Sequence, residues 1–170
     1  YAGSYVVERS SSELYQGLKQ ISGSVFMIRA DIIKRLGWGT SITEDFQLTL
    51  RMYEHGYKVV YTPYVQVPSE CVSTIKRLVR QWMRWAEGHS HNIKKMFWQM
   101  LFGRYMEGKH WLPSRLSKAE KLEFLYLSPY YLQSAFFLLG TIFWFLSEAV
   151  FQVRLPFWTA VWGWSLVLTN

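Results

Sequence analysis

Gln81, Arg84 and Trp85 stand at i, i+3 and i+4 within RLVRQWMRWAEG, residues 77–88. On a helix these three share one face, which Arg77 and Gly88 extend in either direction. A planar guanidinium can donate two parallel hydrogen bonds to a pyrophosphate. An amide beside it can bond phosphate or sugar hydroxyls, and an indole offers an apolar face on which a sugar ring can stack. The same segment also reads as a basic amphipathic helix lying on anionic lipid. That reading explains the arginines but not the joint placement of Gln, Arg and Trp, and spacing alone leaves both open. A second reactive pair lies upstream, at Glu44 and Asp45. In the first turn of a helix, carboxylates complement the macrodipole, each contributing about 0.3–1 kcal/mol. A carboxylate fixed there is equally well aimed to act as a general base on an acceptor hydroxyl. Spacing does not choose between these either.

The elements that must position these groups read as alternating α/β over residues 21–67. SGSVFMIR is a short strand-like run entered through Ser22-Gly23-Ser24. Ile32, Ile33 and Leu36 follow at helical spacing, and Gly37 marks a helix stop. Ser41 followed by Glu44 matches a capping box, with Thr43 as a competing N-cap. Phe46, Leu50 and Tyr53 then form an i, i+4, i+7 stripe that Gly56 closes. YKVVYTP reads as a strand ended by Pro63. From about Ser73 a helix carries Ile75, Leu78, Val79 and Trp82 as an apolar stripe for packing, leaving Arg80 as a solvated or lipid-facing charge. Residues 94–116 mix Trp98, Phe102, Tyr105 and Trp111 with Lys and Arg, a pattern that suits an interfacial amphipathic helix or, as the alternative, a segment packed on the domain.

Aromatic residues make up 18% of the chain and the net charge is +7. Lys and Arg crowd residues 76–121, whereas residues 124–147 carry no charge at all. About 20 apolar residues span a bilayer core as a helix, so 124–147 is long enough. Tyr126, Tyr130 and Tyr131 sit where an interfacial aromatic belt would lie. The competing reading is a buried core helix. A second apolar run, 155–168, follows a short loop holding Glu148 and Arg154. The positive-inside tendency would put residues 1–123 in the cytoplasm and the 148–154 loop outside. The lone Cys71 excludes an internal disulfide and agrees with a reducing compartment. The start YAGSYVVERSSSELYQG has neither the basic nor the apolar region of a signal peptide, so a fragment of a longer protein is expected.

Two motifs in order, Thr43-Glu44-Asp45 and Gln81-Trp82-Met83-Arg84-Trp85, carry a resemblance. The chain resembles the C-terminal part of a membrane-embedded family 2 glycosyltransferase, of the kind that includes cellulose, hyaluronan and poly-N-acetylglucosamine synthases. SGSVFMIRADIIKRLGW, EHGYKVVYTP and ECVSTIKRLVRQWMRWAEG resemble the segments around these motifs, with Val72 where a proline is usual. The likeness runs over roughly residues 20–147. It implies an α/β architecture: the C-terminal portion of a GT-A-type domain in 1–72, then the Gln-x-x-Arg-Trp helix and amphipathic interfacial helices in 73–123. A transmembrane helix in 124–147 and the start of another in 155–170 would follow.

Carried over by this resemblance, Asp45 would be the catalytic base and Glu44 would support it. Gln81 and Arg84 would hold the diphosphate of a nucleotide sugar, a UDP-sugar first among candidates. Trp85 would form part of the acceptor platform, with Thr43, Ser22 and Gly23 completing the substrate site. The implied reaction is inverting transfer to a growing glycan at the cytoplasmic face of a membrane, by a processive β-glycan synthase. Two alternatives stand beside it: transfer of a single sugar to a lipid or small acceptor, and a non-enzymatic basic module that binds membrane lipid. Nucleic acid is not an expected partner. The resemblance implies a divalent cation, Mg or Mn, in the full-length enzyme. No Asp-x-Asp occurs here, and His55, His89, His91 and His110 do not make a substitute metal site. The cation's ligands are therefore expected outside this stretch, and the stretch alone is expected to be inactive.

Overall fold

A computed structural model describes residues 7–65, 67–68, 70–106 and 110–152. It divides into two compact units, residues 1–128 and 129–170. The first contains α1 (Arg9–Leu14), α2 (Ala30–Leu36), α3 (Glu44–Glu54), α4 (Ile75–Phe102), a hairpin of β1 (Gly103–Met106) and β2 (His110–Pro113), and α5 (Lys118–Leu127). The described part is mostly helical, and its two strands pair antiparallel from Gly103↔Pro113 to Met106↔His110.

Helix α3 is the centre of this unit because both of its sides are apolar. Phe46, Leu50 and Tyr53 pack with Met96, Met100 and Leu101 of α4, Leu116, Phe124 of α5 and Leu18. On the other side Leu48 and Met52 pack with Ile21 and with Ile32 and Leu36 of α2. The i, i+4, i+7 stripe expected from the sequence is thus one wall of the core. Both glycine stops hold as expected, with Gly37 at φ 71° and Gly56 at φ 85°. Helix α5 begins with a full capping box between Ser117 and Glu120. The buried Glu120 carboxylate also takes Lys58 Nζ at 2.6 Å, tying the segment after α3 to α5.

The expected strands over 22–29 and 57–63 do not form. The first is broken by a turn and bend over 23–25, but burial alternates in both as it does along a strand: Phe26 and Ile28 face the core while Met27 is exposed, and Tyr57 and Val59 pack while Val60 is exposed. The ladder is what is missing, since neither segment has a strand beside it among the described residues. The expected amphipathic helix over 94–116 is also interrupted. Helix α4 continues to Phe102 and then turns at Gly103, whose φ of 109° suits only glycine. A Cβ there would lie 2.1 Å from the Leu112 carbonyl oxygen of the paired strand.

Among the described residues, the second unit consists of α6 (Tyr130–Phe145), continued by a π-helical stretch, Leu146–Val150. The span Tyr130–Val150 is long and apolar enough to cross a membrane. Its 21 residues amount to about 31 Å of helix. The helix starts after Pro129 rather than at Phe124, because α5 ends at Leu127. The second apolar run expected over 155–168 lies outside the described residues.

Candidate functional site

The acidic motif sits where α3 begins. Thr43 is the N-cap, yet its hydroxyl caps no α3 amide, and Ser41 Oγ accepts the Thr43 amide at 3.3 Å instead of forming the expected box with Glu44. The reason lies across the core, where buried Asn92 of α4 donates from Nδ2 to Thr43 O at 3.2 Å and to Thr43 Oγ1 at 3.0 Å. With that hydroxyl engaged, part of the capping falls to Asp45 itself, whose Oδ1 accepts the Phe46 amide at 2.7 Å.

The other carboxylate oxygen faces the Ser22-Gly23-Ser24 loop. Gly23 donates its amide to Asp45 Oδ2 at 2.8 Å. The Ser22 and Ser24 hydroxyls lie 3.3 Å apart. Thr49, one turn further along α3, locks the arrangement: its Oγ1 donates to Asp45 O at 2.8 Å and accepts the Ile21 amide at 3.0 Å. Loop and carboxylate are therefore fixed to the same turn of helix, about 20 residues apart in sequence. Glu44 and Asp45 are each partly exposed, as a base that must reach a substrate requires.

Helix α4 brings in the second motif. Its N-cap is Thr74, which accepts the Arg77 amide, close to the expected start. Positions 81, 84, 85, 88 and 92 form one stripe along it, and the two ends of the stripe differ. Gly88 and Asn92 are buried against Thr43. A Cβ on Gly88 would lie 2.6 Å from Thr43 Oγ1 and 2.7 Å from its Cγ2, so the missing side chain is what allows the approach. Arg84 is exposed, Gln81 and Trp85 are half-buried, and Arg84 lies about 6 Å along the axis from Gly88. No hydrogen bond or ion pair joins Gln81 or Arg84 to Glu44 or Asp45 among the described residues.

The apolar residues at the start of α4 correct an expectation. Val79 and Trp82 were expected to pack, but Trp82 is 56% exposed, Ile75 is 80% exposed and Leu78 is only half-buried. The first turns of α4 run beyond the core that α3 and α5 provide. Packing begins instead at Gly88 and His89. The His89 ring stacks on Phe46 at 4.3 Å and donates from Nε2 to Leu127 O at 3.0 Å. A carbonyl only accepts, so Nε2 carries the proton, and burial holds the imidazole pKa below its usual value. His91 is exposed on another face.

Thr49, His89 and Asn92 had no assigned role in the sequence reading, and Gly88 entered it only as an extension of the Gln-Arg-Trp face. The signal available for Asn92 was its place on the same stripe, seven residues after Trp85. The residues described do not by themselves fit a divalent cation. Asp31 is bound in a fork by Arg29, Asp45 takes two backbone amides, and no cluster of three or more His, Cys, Asp or Glu occurs among the described residues.

The family described as glycosyl transferase family group 2 matches residues 3–169. Over 66 residues the chain is 41% identical to a probable glucomannan 4-beta-mannosyltransferase 6 of Oryza sativa subsp. japonica, covering 38% of this chain and 12% of that protein. Over 81 residues it is 36% identical to a probable glycosyltransferase YdaM of Bacillus subtilis (46% and 19%). Over 99 residues it is 30% identical to hyaluronan synthase 1 of Xenopus tropicalis (52% and 17%). The matched region is thus under a fifth of the length of each of these relatives. No solved structure matches. With a match that runs almost from end to end, the chain belongs to glycosyl transferase family group 2.

Proposed function

We propose that this chain forms the acceptor-side part of an inverting glycosyltransferase. The whole protein would move a sugar from a nucleoside-diphosphate sugar to a growing glycan at the cytoplasmic face of a membrane. Asp45 is the base: Oδ2, beside Gly23, takes the proton of the acceptor hydroxyl as its oxygen attacks the anomeric carbon opposite the leaving diphosphate. Glu44 supports the same helix end. Gln81 and Arg84 bind the diphosphate, where a guanidinium supplies paired, charge-assisted hydrogen bonds. Trp85 and the Ser22-Gly23 loop hold the acceptor, and Thr43 joins the two motifs. The divalent cation implied by the family resemblance would take its ligands from residues outside this stretch.

The observation that carries this reading is the contact of Thr43 with Gly88 and Asn92. It puts the acidic motif against the helix that bears Gln81, Arg84 and Trp85. The test uses the full-length enzyme in membranes with a panel of nucleotide sugars. Asp45→Asn should lower kcat by about 10²–10⁴-fold while donor binding is kept. Arg84→Ala should raise the donor KM at least about tenfold. An Asp45→Asn enzyme with normal turnover would remove Asp45 as the base. We further propose processive extension, which predicts long products from a single acceptor; one sugar per acceptor would instead establish single transfer.

A further inference from the structure

Asn92 is fully buried, and only half of its carboxamide is used. Its Nδ2 donates twice to Thr43, but its Oδ1 is buried and accepts no hydrogen bond among the described residues. A buried acceptor left unpaired costs stability, about 1–3 kcal/mol. The bond to Thr43 O does not repay this as helix structure, because that carbonyl already accepts the Gln47 amide at 3.0 Å. What Asn92 does supply is a directional grip on the peptide two residues before Asp45. Gly88, one turn earlier on the same stripe, lets Thr43 approach so closely that a Cβ would come within 3.0 Å of its backbone nitrogen. Arg84 lies one further turn along.

We propose that Asn92 is a positioning residue, which with Gly88 fixes the distance between the Asp45 carboxylate and the Gln81–Arg84 face. It touches no reacting atom and acts through Thr43. This inference rests on the reading of Asp45 and Arg84 given above. Misplacement by about 1 Å can cost on the order of 10²-fold in rate, so a loosened grip should appear in kcat.

The test is Asn92→Leu in the full-length membrane enzyme, using the donor found with the nucleotide-sugar panel and free UDP as a binding probe. The expected result is a kcat about 10–100-fold lower, with donor KM and UDP affinity within about twofold of wild type. The melting temperature should fall by no more than about 2–4 °C, since removing the unpaired Oδ1 offsets most of the loss of the two bonds to Thr43. Asn92→Ala removes the donor without adding volume or charge, and should lose kcat to the same extent. A kcat within about threefold of wild type in both variants would overturn the proposal. So would a kcat loss that only accompanies a larger fall in melting temperature, the mark of a purely structural residue. If Asn92→Leu does not fold, Asn92→Ser, smaller than the residue it replaces, decides on the same criteria. Asp45→Asn in the same preparation separates the two ideas. If it keeps turnover, the reading of the base fails. If it is inactive while Asn92→Leu turns over normally, the positioning proposal alone fails.

Discussion

At the scale of single residues, Gly23 is the most sensitive probe of the carboxylate. A Cβ at this position would sit 3.3 Å from Asp45 Oδ2, tighter than ordinary contact, and 3.7 Å from its Cγ. The Ser22–Ser24 loop is largely exposed, so it can yield by a few tenths of an ångström without disturbing the core. Gly23→Ala should therefore change stability by no more than about 0.5 kcal/mol, the range of surface substitutions. It should nevertheless lower kcat by roughly tenfold, because the loop that yields is the one hydrogen-bonded to the proposed base. Paired melting and initial-rate measurements check this, and a variant with normal kcat would show that the Gly23 amide has no part in placing Asp45.

At the scale of elements, the junction of α4 with α3 and α5 carries a pH dependence. His89 is neutral in the fold, stacked on Phe46 and donating to Leu127, with its pKa lowered chiefly by burial. Once unfolded it titrates near 6.5. As pH falls through about 6.5, the unfolded chain takes up a proton that the folded chain refuses, so stability falls. The loss continues until the folded imidazole itself is protonated. The contribution is thus fully present above pH 6.5 and lost below it. Denaturation midpoints measured between pH 7.5 and 5.5 should decline, and His89→Gln should flatten that decline. The same elements show how much the sequence disclosed. The α3 stripe, the glycine stops and the start of α4 were legible because each is a local pattern with a local cause. The Thr43 cap was not, because a distant partner, Asn92, competes for its hydroxyl. The strands were half legible: their period of two is present, but a ladder needs a neighbour that local sequence does not specify. The apolar stripe of Ile75, Val79 and Trp82 was legible as a stripe, yet what it packs against is no property of the helix itself.

At the scale of the whole molecule, the question is what the apolar span 130–150 does. Its helix is long enough for a bilayer core, and large side chains such as Phe136, Leu138 and Phe143 are exposed along it. In water, burial against other protein would be the expected fate of such a surface; in a bilayer, lipid covers it. The backbone is compatible with lipid, since a helix satisfies its own amides and carbonyls, and Thr141 Oγ1 donates to Phe137 O at 3.0 Å rather than outward. These alternatives respond differently to charge. An arginine near the centre of a membrane span costs about 2.5–3.5 kcal/mol of insertion free energy. Leu138→Arg combined with Leu139→Arg should therefore shift full-length protein from the carbonate-resistant membrane fraction toward the extractable fraction, or lower its insertion in a glycosylation-tag assay. A conservative pair, Leu138→Ile with Leu139→Ile, should leave both readouts unchanged. If the arginine pair inserts as well as wild type, this helix is not the segment that holds the protein in the membrane. The cytoplasmic placement proposed for the Asp45 and Arg84 motifs would then have to rest on another span.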